Sequence, residues 1–146
     1  MKQKKNNKQG FTLVEIIVVL VILAILAAIL IPSMVGYIKK ANEKKNLTEA
    51  RNVVQACQTY VDEHIKDVYQ HRGGVDYKLN SSAKDGSAER EIMDLAEMPA
   101  SWTGEILVST ATCKVWYMKI VTDDNVITYN PTGLSGVPKG WNATSK

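Results

Sequence analysis

Residues 10–40, GFTLVEIIVVLVILAILAAILIPSMVGYIKK, decide the architecture of this chain. From Phe11 to Ile31 the only polar side chains are those of Thr12 and Glu15. As a helix rising ~1.5 Å per residue, this run reaches ~31 Å, about the thickness of bilayer hydrocarbon. It is preceded by a short basic leader, MKQKKNNKQG, ending in the small residue Gly10. A secretory signal peptide would have a shorter apolar region, roughly 7–15 residues, followed by a small-residue cleavage site. Here the run is longer, no A-x-A site follows it, and the small residue lies before it. The absence of a cysteine at the junction argues against a lipid-modified terminus.

Glu15 is the informative exception within the run. A carboxylate at the centre of a spanning helix costs about 2.5–3.5 kcal/mol, and less near an end. If the leader is removed after Gly10, Glu15 lies one helical turn from the new α-amino group. In a bundle of such helices an unpaired carboxylate is strongly unfavourable, whereas one facing a neighbour's ammonium is neutralised. That requirement penalises wrong axial registers between helices.

The Lys-rich leader, the G-F-T-L-V-E junction, the apolar helix and Pro32 together resemble a type IV prepilin. The resemblance covers roughly the first 40 residues. It implies cleavage by a prepilin peptidase between Gly10 and Phe11, N-methylation of Phe11, and a register-setting role for Glu15 in filament assembly. Tyr37 matches a tyrosine frequent in the family. The implied fold class is α+β and pilin-like: one long helix over about 11–71, kinked near Pro32, with its C-terminal half packed on a small antiparallel sheet. The implied organisation is a cleaved leader (1–10), a membrane-spanning or filament-core helix (11–38) and an extracytoplasmic head (39–146). The implied function is that of a structural subunit of a type IV pilus, with a pseudopilin of a secretion or competence DNA-uptake system as the alternative. The partners implied are other copies of the subunit, the peptidase, the assembly platform and motor, and membrane lipids before assembly.

Charge placement supports this reading over nucleic-acid binding. The chain has 18 Lys+Arg and 15 Asp+Glu, but Lys2, Lys4, Lys5 and Lys8 belong to the leader. Without these four, 14 basic side chains face 15 acidic ones, so no specific nucleic-acid partner is expected. Lys39, Lys40, Lys44 and Lys45 follow the span, so the positive-inside rule gives a near tie. The junction breaks it, because the implied processing is cytoplasmic. The precursor is then a single-pass protein of the cytoplasmic membrane with its N-terminus inside, and the mature subunit a cell-surface filament component.

Beyond Pro32 and Gly36, helix-compatible sequence resumes. Leu47, Ala50, Val54, Cys57, Val61, Ile65 and Val68 recur at spacings of three and four, which predicts an apolar stripe. Gly73-Gly74 ends the pattern. Residues 75–87 read as a polar loop, and 88–98 as a short helix with Glu89 and Glu91 near its positive end. Strands are predicted at 105–109, 113–122 and 126–130, joined as a meander, with the last 16 residues irregular.

Little in the head carries chemistry. Cys57 and Cys113 form a candidate disulfide closing a loop of 57 residues, worth roughly 4 kcal/mol on a chain-entropy model, with two buried thiols as the alternative. His64 and His71, seven apart, lack the three- or four-residue spacing of a helical metal site. Asp123, Asp124 and Asn125 fall short of the oxygens calcium requires and read as a turn. Trp102, Trp116 and Trp141 read as core filling. Asn46, Asn80 and Asn142 stand in N-x-S/T triplets, a pattern that recurs by chance. No metal, cofactor or enzymatic activity is expected.

Overall fold

The computed structural model describes residues 11–71, 73–133 and 135–146. The leader, and with it Gly10, lies outside the described residues. The chain divides into two compact units, residues 1–40 and 41–146.

Helix α1 (Leu13–Glu63) contributes to both units. In the first, its apolar side chains have no protein neighbours to bury them: every described residue from 11 to 40 is exposed except half-buried Ala27. Among the described residues, α1 is the helix long and apolar enough to cross a membrane. Helical structure continues through Pro32, whose missing N–H removes one backbone bond. The Ser33 hydroxyl donates to the Leu30 carbonyl at 2.8 Å just beyond it.

The second unit is α+β. The rest of α1, the short helices α2 (Ile65–Gln70) and α3 (Ala88–Leu95), and a five-stranded antiparallel meander enclose one core. The strands are β1 (Val75–Leu79), β2 (Thr103–Ser109), β3 (Lys114–Val121), β4 (Asn125–Asn130) and β5 (Gly140–Ser145), in sequential order across the sheet. The three predicted strands are present as β2, β3 and β4. Two further strands correct the sequence reading. Residues 75–79, expected in a loop, pair with β2, with Tyr77 opposite Ile106. Residues 140–145, expected to be irregular, pair with β4, with Trp141 opposite Tyr129.

The long helix also differs in detail. It ends at Glu63, His64 leaves helical geometry, and α2 starts one residue later. The break resets the helical phase, so Ile65, expected on the apolar stripe, is 48% exposed, whereas Val68 is buried. Ahead of the break the buried face is Asn46, Ala50, Val53, Ala56, Cys57 and Val61, with Leu47 and Val54 at its margin. The stripe is therefore rotated slightly from its predicted centre.

Three polar side chains of this part of α1 make four contacts to the sheet and its turns. Asn46 Nδ2 donates to Thr122 Oγ1 at 3.3 Å, and the Arg51 guanidinium lies 5.5 Å from the Trp141 ring centroid. Gln58 Nε2 donates to the Cys113 carbonyl at 2.9 Å, while its Oε1 accepts from Val115 N at 3.3 Å. The Gln58 pair spans the start of β3, where Cys113 adopts a positive φ of 51°.

The β2–β3 register shifts between Leu107 and Val108, whose partners are Tyr117 and Val115, so Trp116 is the extra residue of a bulge. That displacement takes Trp116 out of the core cluster that includes Trp102. Gly104 is required where β2 crosses β3: a Cβ there would lie 2.7 Å from the Lys119 carbonyl oxygen. Helix α3 starts at Ser87, whose hydroxyl accepts from Arg90 N. It ends with Glu97 in the left-handed region and Met98 N donating to Met93 O at 2.9 Å.

Candidate processing and assembly site

The chemistry of the N-terminal segment is concentrated at the first turn of α1. The helix begins at Leu13, so Thr12 is the residue that must satisfy its free N–H groups. Glu15 N donates to Thr12 Oγ1 at 3.3 Å. In return, Thr12 N and Thr12 Oγ1 donate to Glu15 Oε2 at 2.8 and 2.7 Å. This is a reciprocal capping box, with a carboxylate at the positive end of the helix. The T-x-x-E spacing of Thr12 and Glu15 is the sequence signal for this box, and it gives Glu15 a partner within its own helix besides the insertion cost and the neighbour's ammonium.

Both bonds from Thr12 converge on one carboxylate oxygen. Glu15 therefore keeps Oε1 without a partner among the described residues. Phe11, one residue before the cap, is 84% exposed. The first turn thus offers an anionic oxygen beside an unpacked aromatic side chain, on a helix whose flanks are all apolar.

The other candidates fall in the head. Cys57 and Cys113 are unlinked and buried. Burial pushes the Cys57 thiol up to about 12. Cys113 Sγ donates a long bond, 3.8 Å, to the Thr110 carbonyl. Gln58, next to Cys57 in the helix, holds the Cys113 carbonyl, so α1 meets the sheet at the segment carrying the second cysteine.

The β3–β4 turn is engaged from within the chain. Asp123 Oδ2 accepts from Ser101 Oγ at 3.1 Å, and the Thr122 and Asp123 carbonyls both accept from Lys146 Nζ. A lysine ammonium occupies the position from which a cation would draw backbone oxygens. Among the described residues no three His, Cys, Asp or Glu side chains are grouped closely enough to hold a metal ion.

Of the N-x-S/T asparagines, Asn46 is buried, Asn80 Oδ1 accepts from Ser82 N at 2.9 Å, and Asn142 Nδ2 donates to Pro138 O at 3.2 Å.

Comparison with known families agrees with the local geometry. Residues 5–31 match the model of the prokaryotic N-terminal methylation motif, the class III signal peptide of type IV pilin-like proteins. The match spans the second half of the leader, the capped turn and the apolar run to Ile31. No curated protein and no solved structure matches the chain.

Proposed function

We propose that this prepilin-type protein is a structural subunit of a type IV pilus, polymerised through α1. The observation that carries the reading is the continuity of three features: a methylation-type junction, a capped turn bearing Glu15, and an apolar helical segment exposed up to Lys40 but for half-buried Ala27. A helix so apolar is stable only in lipid or against other such helices. Because lipid tails are as apolar as its side chains, exchanging one for the other yields little hydrophobic gain. Packing and polar pairing must then supply the specificity of assembly, with an external motor as the driving force.

In this proposal the leader is cut after Gly10 on the cytoplasmic side and the Phe11 amine is methylated. While the subunit waits in the membrane, the Thr12 cap reduces the cost of Glu15 near the headgroups. In the filament, Glu15 meets the Phe11 ammonium of a neighbouring copy. Pro32 is the proposed kink between spanning and head-bearing portions, and Cys57 and Cys113 are the proposed bridge on exposure to an oxidising exterior. The subunit docks on an assembly platform, with its N-terminus inside and its head outside.

A head of about 108 residues is a common pilin size and exceeds the smallest competence pseudopilins, which favours a pilus over a short piston. Imaging and surface shearing of cells expressing the tagged protein test the choice. Long sheared fibres containing the subunit are expected; short or absent fibres would assign it to a pseudopilus.

A further inference from the structure

The two edges of the sheet differ. Strand β1 is guarded, because Asp76 and Lys78 put charges on it and α3 packs against it. Strand β5 has no such protection. Gly140–Ser145 (G-W-N-A-T-S) contains no charged residue and no proline, and its register along β4 runs without a bulge. Charges, prolines and bulges are the devices that keep an edge from pairing with another strand.

The direction of the β5 backbone groups follows from one bond beyond its end. Lys146 N donates to the Asp124 carbonyl at 3.1 Å, one step past the Asn125–Ser145 pair of the β4–β5 register. In an antiparallel ladder, hydrogen-bonded and non-hydrogen-bonded pairs alternate. Thr144, Asn142 and Gly140 therefore bond to β4, whereas Trp141, Ala143 and Ser145 turn their N–H and C=O groups to the free side. The far side of β4 agrees: Thr122 N donates to the Asn125 carbonyl, so Asn125, Ile127 and Tyr129 bond to β3. Among the described residues, nothing pairs with the outward backbone groups of Trp141, Ala143 and Ser145. Ala143, Thr144 and Ser145 are exposed.

A strand that fits this edge must offer donors and acceptors at the same alternate spacing. Strand β5 of a second copy does so. Laid antiparallel with Ala143 opposite Ala143, it brings Trp141 opposite Ser145 in both directions, and every outward N–H and C=O of the two strands is paired. No charge opposes the approach, and the small Ala143 side chains leave room where the strands meet. The charged and covered β1 edge is a poorer match.

We propose that β5 pairs antiparallel with β5 of a second copy, about a two-fold axis between the two Ala143 residues, so that two five-stranded sheets become continuous. A two-fold contact closes on itself, so it joins two heads and does not propagate a filament. It is additional to the α1 contacts of the proposed pilus. Backbone pairing along one short edge buries little area, so the contact is weak between free molecules and gains from subunits already held in one membrane or on filament surfaces.

The test traps the pair in membranes from cells expressing the full-length mature chain, using Ala143→Cys with copper phenanthroline as oxidant. Opposed hydrogen-bonded residues stand about 5.5 Å apart at Cα, within disulfide reach. Wild type controls for Cys57 and Cys113, which are buried. A covalent homodimer is expected from Ala143→Cys. Thr144→Cys, which would stand opposite Asn142 and not itself, should give severalfold less. Adding Ser145→Pro removes an outward N–H without touching the β4 ladder and should abolish the Ala143→Cys dimer. Ser145→Lys, which places a charge on the edge and leaves the backbone intact, should do the same. A homodimer no more abundant than that of Thr144→Cys, or one undiminished by both Ser145 variants, would overturn the proposal. So would a mixed disulfide to a different protein in place of the homodimer.

Discussion

Glu15 accepts both the N–H and the hydroxyl of Thr12 on the single oxygen Oε2, so the residue proposed to pair with a neighbour is already half satisfied within its own helix. The first turn is therefore ordered before assembly, and the uncommitted Oε1 is the oxygen left for an incoming ammonium. Thr12→Ala should cost about 1 kcal/mol of helix stability at this turn, whereas Thr12→Ser should cost little. Faster amide exchange at Glu15 in detergent-solubilised Thr12→Ala, restored in Thr12→Ser, is the expected result.

The rotated stripe makes a paired prediction. Val61→Asp places an unpaired charge in the core and should destabilise the head by more than about 3 kcal/mol. Ile65→Asp, four residues on but beyond the helix break, should change stability by less than about 0.5 kcal/mol. Denaturant unfolding of the mature protein, followed through its tryptophans, distinguishes the two.

Gln58 is expected to matter more than a surface glutamine. Gln58→Ala leaves the Cys113 carbonyl and the Val115 N–H without their side-chain partner, a loss of about 1–3 kcal/mol. Gln58→Glu can still accept from Val115 but sets a carboxylate against the Cys113 carbonyl and the Asp62 carboxylate, to which Gln58 Nε2 donates at 2.8 Å, so its midpoint should fall no higher than that of alanine in the same unfolding experiment.

In the reduced protein, before any Cys57–Cys113 bridge forms, alkaline stability should follow the Cys57 thiol. Its folded pKa is raised to about 12 by burial, above the usual thiol value near 8.5, so the folded state holds a proton the unfolded chain releases. Its contribution is complete below about pH 8.5 and is lost as pH rises toward 12. Burial raises the Tyr77 hydroxyl in the same direction. Cys57→Ala should flatten the decline in unfolding free energy across this window, and native Cys57 should resist iodoacetamide until the head unfolds.

Much of this was legible in the residues. The apolar run announces a helix long enough to span a bilayer because lipid tolerates few alternatives, whereas the Thr12–Glu15 cap at its start emerged only from the geometry. The alternation V-D-Y-K-L also encodes β1, with Tyr77 and Leu79 buried and Asp76 and Lys78 exposed, but its polar average resembles a loop. Strand β5 has no such alternation. Gly140–Ser145 becomes a strand by pairing its backbone along β4, a tertiary event with no local signature. The break at His64 was also silent, since no Gly or Pro marks it. The pairing of Gln58 with both sides of Lys114 depends on sheet placement that spacing along the helix does not reveal.

Glu15→Gln gives the most direct test of the central claim, because glutamine can still accept from Thr12 and so removes the charge while sparing the cap. The measurement is sheared filament per membrane-bound mature subunit. Leaving an ammonium unpaired in a packed apolar bundle costs about 3–5 kcal/mol, so the ratio should fall on the order of a hundredfold or more while membrane insertion persists. Filament recovered from Glu15→Gln at the wild-type ratio would contradict the pairing of Glu15 with a neighbouring Phe11.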